Sequence, residues 1–235
     1  MSIRLASNNF PFFNWFTAKS SGPPFWEAYA GHFRDTYARR TPLEDLTFVV
    51  FDTETTGLDV RKSHLLSLGA VCVKDQRIEV ADTLDCIILQ PAHQGGAEIA
   101  VHGILPKHSQ HGVPEAEAIQ HFLEFIEDSI LVGHHVDFDI AMINQALKKI
   151  GGKRLMNKSV DTAQLAMRVN PPSAFVKPGD YALDKLCQMY NLPLEDRHTA
   201  AGDAFITALL LQKLLTRLKK RGVRTLGDLL RRKFQ

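Results

Sequence analysis

In the stretch VVFDTETTGLD (residues 49–59), Asp52 and Glu54 stand two apart behind an apolar run. A β-strand points residues i and i+2 to the same face, so both carboxylates would share one small volume. Like charges that close raise each other's pKa unless a cation holds them. Three further groups of suitable type follow: Asp139 in GHHVDFDIAMIN, and His198 with Asp203 in RHTAAGDAF. Four hard oxygen donors suit Mg²⁺ or Mn²⁺ better than zinc, which prefers Cys and His. Two such ions about 3.5–4 Å apart can stabilise both the attacking and the leaving oxygen of a phosphodiester cleavage. A histidine titrating near neutrality can take the proton of the attacking water. Taken singly, the same residues have plain structural readings. Asp139 suits a helix N-cap, His198 a surface histidine, and Asp203 a charge on a helix surface.

Residues so far apart in the chain need a fold to bring them together. Strands are predicted at 46–52, 64–73 and 78–90, with a turn at KDQR between the last two. Close-spaced strands with short connections read as an antiparallel meander. The rhythm then changes. Apolar positions 119, 122, 123 and 126 give residues 114–128 a helical period. ILVGH (130–134) reads as a short buried strand, and 139–150 as a helix ended by Gly151-Gly152. A short strand ends near Val160, helices follow at about 161–169 and 181–191, and a long one at 198–221 stops at Gly222. Strands first, then alternating helix and strand, predict an α/β fold with helices packed against a mixed sheet. Before this domain, residues 1–22 read as irregular, and a helix starts at Pro23 or Pro24 with Trp26, Tyr29, Ala30, Phe33 and Tyr37 at helical spacing. Its aromatics dock either on the domain itself or on a partner. The expected division is an aromatic-rich helical extension (1–44), a main domain (45–221) and a short basic C-terminal helix (222–235).

An apolar share of 45% and a charged share of 23% place the chain among ordinary globular proteins. Cys72, Cys86 and Cys187 are odd in number and lack paired metal spacing, as expected for buried thiols in a reducing compartment. No apolar run approaches the roughly 18 residues a membrane helix needs. Asn8, Asn9 and Asn14 interrupt the N-terminal aromatics, so no signal-peptide core forms and a cytoplasmic location is expected. The net charge of +2 hides an asymmetry. From Lys213 onward the chain carries roughly +8, leaving about −6 for the rest. A basic end on an acidic body suits a protein that holds cations in one place and phosphates in another. A solvated helix face accounts for any single residue of that run equally well.

Three motifs in order resemble the DEDDh family of 3′–5′ exonucleases, which includes the proofreading epsilon subunit of bacterial DNA polymerase III, RNase T and oligoribonuclease. Asp-x-Glu-Thr-Thr-Gly is met by Asp52 to Gly57. His-Asn-x-x-Phe-Asp is met by His134 to Asp139 except at His135, where the family carries Asn. His-x4-Asp in an Arg-His-x-Ala setting is met by Arg197 to Asp203, and VHGI (101–104) and VDT (160–162) fall in the expected order. The match spans about residues 46–220. It implies an RNase H-like mixed five-stranded sheet flanked by helices, with two divalent ions, Mg²⁺ or Mn²⁺, as cofactors. By the same resemblance, Asp52, Glu54 and Asp203 are direct metal ligands, Asp139 completes the site and His198 is the general base. Thr55, Thr56 and Gly57 lie beside the terminal nucleotide, with His102 and Phe138 also lining its pocket. Asp137 is an extra acid, and Asp139 is preferred as ligand because the family's Phe-Asp pair falls on Phe138-Asp139.

The implied product is a nucleoside 5′-monophosphate released from a 3′ end, single-stranded or frayed. The first reading is a DNA exonuclease, alone or as a polymerase subunit attached through the aromatic N-terminus or the C-terminal VRTLGDLLRRKF. RNA trimming by the same chemistry is a second. A nucleic-acid-binding module without catalysis is a third, and a missing ligand or base would mark it. None is missing here.

Overall fold

The computed structural model describes residues 22–90, 112–173 and 177–231. Five strands form one mixed sheet: β1 (Phe48–Thr55), β2 (Leu65–Lys74), β3 (Arg77–Ile87), β4 (Ile130–Gly133) and β5 (Ser159–Asp161), in the order β3-β2-β1-β4-β5. β1 pairs antiparallel with β2 and parallel with β4, so the sheet changes from antiparallel to parallel at this strand. β2 and β3 form the expected hairpin through Asp75 and Gln76, both left-handed, the geometry of a two-residue turn that follows sheet twist. Among the described residues seven α-helices accompany the sheet: α1 (Pro24–Gly31), α2 (Glu115–Ile126), α3 (Asp137–Lys149), α4 (Thr162–Val169), α5 (Leu183–Tyr190), α6 (Ala200–Lys220) and α7 (Leu226–Leu229). This is the RNase H-like architecture that the motifs imply. Among the described residues no helix is long and apolar enough to cross a membrane.

Strand parity sorts the core into two layers. Phe48 and Val50 of β1 pack with Leu210, Leu211 and Leu214 of α6, while Val49 and Phe51 pack with Phe122 of α2 and Ile143 of α3. All four strand residues are buried because helices cover both faces. That explains the unbroken apolar run FVVF, where a half-exposed strand would alternate. The strand outlasts its predicted end at 52. Asp52 pairs with Gly69 and Glu54 with Ser67, so both carboxylates stand on a hydrogen-bonded ladder.

Helix α1 ends at Gly31 and continues only as a 3₁₀ turn (His32–Asp35), shorter than its aromatic spacing predicts. Trp26 and Tyr29 are buried in the same layer as α2 and α3. The Tyr29 hydroxyl donates to Asn157 Oδ1 at 2.6 Å and accepts from Met156 N–H at 2.8 Å. These aromatics therefore dock on the chain's own domain. At the other end, Leu226 and Leu229 of α7 pack into the α6 layer, and Leu43 N–H donates to Arg224 O at 3.0 Å.

Gly69 sets how near α6 comes to the sheet. A Cβ there would lie 2.2 Å from Ala201 N and 2.3 Å from the Ala200 carbonyl carbon, backbone that cannot swing aside. Residues opposite each other in an antiparallel pair share a face. Gly69 and its partner Asp52 thus both look toward the first turn of α6, which carries Asp203. Gly69→Ala is expected to cost about 1–3 kcal/mol by overpacking. It should also lower the activity that the three motifs imply further than the loss of folded protein accounts for, as shown by comparing denaturant melts with rates well below the melting temperature.

Candidate active site

The described carboxylates meet at the C-terminal end of β1, beside the end of β4 and the starts of α3 and α6. Oxygens of Asp52, Glu54 and Asp203 all lie within 4.8 Å of one another. Asp203 reaches them from the first turn of α6, whose start is fixed by Thr199: its hydroxyl accepts from Gly202 N–H at 3.1 Å. Gly202 is needed there, since a Cβ would sit 2.0 Å from Asp196 O in the loop folded over the turn.

Asp139 arrives from the other layer. Val136 takes the N-cap position of α3, so Asp139 does not cap the helix. Its Oδ1 accepts instead from Thr53 N–H at 3.1 Å and from the Thr53 hydroxyl at 2.6 Å. Thr53 lies between Asp52 and Glu54, so strand alternation turns it toward α3 while they face α6. Asp139 is 5% exposed, whereas Asp137 is open to solvent, which separates the two neighbouring acids.

Burial is the largest reason these acids resist ionising, and their mutual repulsion adds to it. Asp52 is pushed well above the usual carboxylate range by burial, then by Asp139, Asp203 and Glu54. Glu54 is raised to about 7 by burial, then by Asp203 and Asp139. Burial also raises Asp139 to about 7, against the opposing pull of the Thr53 bonds. The counter-charge is Arg197, whose Nη1 donates to Asp203 Oδ1 and whose Nε donates to Asp184 Oδ1 at 2.7 Å. An all-oxygen, mutually repelling cluster fits hard divalent cations. Asp52, Glu54 and Asp203 are the residues placed to hold one, with Asp139 adjoining.

Other predicted residues are less central. His198 is exposed and left-handed (φ 65°); its main-chain N–H donates to Asp203 Oδ2 at 3.3 Å, leaving the imidazole toward solvent. Thr55, Thr56 and Gly57 are half-buried at the strand's end, and the Thr55 hydroxyl donates to Gly57 O at 2.8 Å. Phe138 packs against the α2–α3 layer. His102 lies outside the described residues. The basic run splits. Asp203 and Lys219 are sixteen positions apart on α6, about 24 Å at 1.5 Å per residue. Arg217 stacks over Tyr190 at 4.4 Å, Lys219 pairs with Glu44, and Arg221 donates to Arg168 O. Part of that charge is therefore structural.

Sequence reasoning passed over Thr53, Arg197 and Asp184. Arg197 stood one residue from the expected base, and Thr53 between the two acids, so both had a local signal. Asp184 had none. His135, the departure from the family's Asn, has φ 60°, and its N–H donates to Asp161 Oδ1 at 3.3 Å. Asn and His are both enriched in that left-handed region, so the exchange keeps the backbone. His134 Nδ1 lies 2.9 Å from the Thr162 hydroxyl, which also lies 3.2 Å from Gly133 O. Burial first, then the charges of His135 and Arg197, lower its pKa to about 4 and keep it neutral.

Residues 49–211 match the model of the RNase T exonuclease family. The chain belongs to that family, as a DEDDh-type 3′–5′ exonuclease. This exonuclease is 35% identical over 193 residues to a DNA polymerase III subunit epsilon-like protein of Rhodobacter capsulatus, covering 81% of this chain and 27% of that one. A PolC-type DNA polymerase III of Listeria innocua is 34% identical over 179 residues, 76% of this chain and 12% of that protein. The exonuclease thus spans well under half the length of either relative. Escherichia coli exonuclease I in complex with a dT13 oligonucleotide aligns with a TM-score of 0.65 and 15% identity, over 75% of this chain and 42% of that one. Exonuclease X in complex with 5′ overhanging duplex DNA gives 0.54 and 20% identity, over 73% and 91%. At such identities the likeness to both is one of fold.

The raised carboxylates make a pH prediction. Because the folded protein favours protonated Glu54 and Asp139, their contribution to stability is fully present below the ordinary carboxylate range, near 4. It is lost as pH rises through about 7. A divalent cation should then restore it, so the rise in melting temperature on adding Mn²⁺ to chelator-treated protein is expected to be larger at pH 8 than at pH 6.

Proposed function

We propose that this exonuclease removes nucleotides one at a time from the 3′ ends of DNA, releasing nucleoside 5′-monophosphates in a metal-dependent hydrolysis. The observation that carries the reading is the convergence of Asp52, Glu54 and Asp203 within 4.8 Å, a cluster that repels itself without a cation. Asp52, Glu54, Asp139 and Asp203 hold two divalent ions, Mg²⁺ or Mn²⁺, in this proposal. When bound, such ions acidify water and stabilise charge on the attacking and leaving oxygens. Thr53 fixes Asp139 by two hydrogen bonds, so its carboxylate enters the reaction already oriented. His198, on the exposed loop before α6, is the group that takes the water's proton. Thr55, Thr56 and Gly57, at the rim, contact the terminal nucleotide, with Phe138 lining its pocket. Similarity to proteins named for DNA polymerase III supports DNA as the substrate in this reading. Attachment to a polymerase subunit would use surfaces other than Trp26 and Tyr29, which are spent on the core.

The test is release of labelled mononucleotides from matched DNA and RNA oligonucleotides with free or blocked 3′ ends, with Mn²⁺ or chelator. Free-ended DNA should be digested, and digestion should stop in chelator and with Asp52→Ala or Asp203→Asn. His198→Ala should slow it by roughly 10²–10⁴-fold while leaving Mn²⁺ binding intact, as expected for loss of a general base. Faster digestion of RNA would move the chain to the exoribonucleases of the family. Binding without digestion under every condition would leave it a nucleic-acid-binding module.

A further inference from the structure

Both oxygens of Asp203 are engaged by the protein itself. Oδ1 accepts from Arg197 Nη1 and Oδ2 from the His198 main-chain N–H. A carboxylate so occupied cannot give Oδ1 fully to an incoming metal ion while the guanidinium stays. Arg197 has a second anchor. Its Nε donates to Asp184 Oδ1 on α5, whose side chain is 54% exposed, while the side chains of Arg197 and Asp203 are only 13% and 10% exposed. The guanidinium thus spans from the buried cluster to a solvent-facing acid, bonded at each end by a different nitrogen. It can release one contact while retaining the other.

We propose that Arg197 is a built-in counter-cation that competes with the divalent metal for Asp203, with Asp184 as the anchor that keeps the side chain when metal displaces it. The inference rests on the metal reading above and deepens it: the Arg197–Asp184 pair sets the affinity of the site. Without metal, one guanidinium charge offsets the repulsion among Asp52, Glu54 and Asp203, on which its field acts together. With metal, that positive charge would oppose a second cation, and the Asp184 carboxylate holds it aside and partly neutralises it. A lysine would be a poor substitute, because its point charge lacks two differently directed N–H groups for two carboxylates at once.

The experiment is calorimetric titration of Mn²⁺ into chelator-treated full-length protein, for the wild type, Arg197→Gln, Asp184→Asn and the double variant, with Asp52→Asn as site control. Arg197→Gln should bind Mn²⁺ more tightly, on the order of tenfold, the scale of one partly screened charge contact. Its metal-free melting temperature should fall. Asp184→Asn should bind more weakly, since Arg197 is left with Asp203 alone. In the Arg197→Gln background the Asp184→Asn change should have no further effect, because Asp184 acts only through Arg197. Unchanged or weaker binding by Arg197→Gln, or an Asp184→Asn effect that persists in the double variant, would overturn the inference and leave the metal site standing. Wild type that binds no Mn²⁺, like the Asp52→Asn control, would overturn the metal site and this inference together. A readout needing no variant is the Arg197 side-chain resonances of labelled wild type during Mg²⁺ titration. The Nη signals should shift at saturation while the Nε–H bonded to Asp184 stays protected, and an unmoved set of signals would count against displacement.

Discussion

Everything around the site answers to one electrostatic constraint: carboxylates crowded at the end of a buried strand repel one another in a medium that screens poorly. Desolvation alone raises the pKa values of Asp52 and Glu54, and neighbouring carboxylates raise them further. A fold can keep such a group only by supplying cations, donors or protons. This chain supplies each of them. Arg197 lends charge to Asp203, Thr53 lends two donors to Asp139, and Glu54 at about 7 is half-protonated near neutrality. The arrangement is an anionic cage biased toward a divalent ion, and its rigidity comes from strand and helix backbone, not from loops.

The two-residue period of β1 does most of the sorting. One parity sends Phe48, Val50, Asp52 and Glu54 toward α6, and the other sends Val49, Phe51 and Thr53 toward α2 and α3. The same alternation that divides the apolar core therefore delivers Asp203 to one side of the acids and Asp139 to the other. Gly69 on β2 lets α6 close to backbone contact over Asp52. A register slip of one residue in β1 would exchange the core faces and dismantle the site together. Stability and function are thus coupled through one strand.

The backbone near the site is held in conformations that cost energy for most residues. His135, Asp196 and His198 are all left-handed. All three are of types that tolerate this region. Hydrogen bonds overdetermine the loops, with Asp161 receiving His135 N–H and the Thr199 hydroxyl donating to Asp196 O at 2.8 Å. Such residues persist where surrounding contacts fix them, and they commonly mark functional loops. His198 is exposed on one of these loops.

By itself the sequence determined the element order, the mixed sheet, the family and the identity of the clustered acids. These are local or motif-borne: apolar period marks strand and helix, and three ordered motifs mark the chemistry. It misplaced the end of β1, because the pairing of Asp52 with Gly69 and of Glu54 with Ser67 is a property of β2's length. It overextended α1, because Trp26 and Tyr29 find their burial against α2 and α3 before the aromatic spacing runs out. Only the tertiary structure decided that Thr53 holds Asp139, that Arg197 bridges Asp203 and Asp184, and that part of the basic run is bound to the protein's own surface. Those are contacts between residues distant in sequence or on different layers. Charge repulsion and hydrogen-bond directions act through space, and the chain order carries no record of which donor ends up beside which acid.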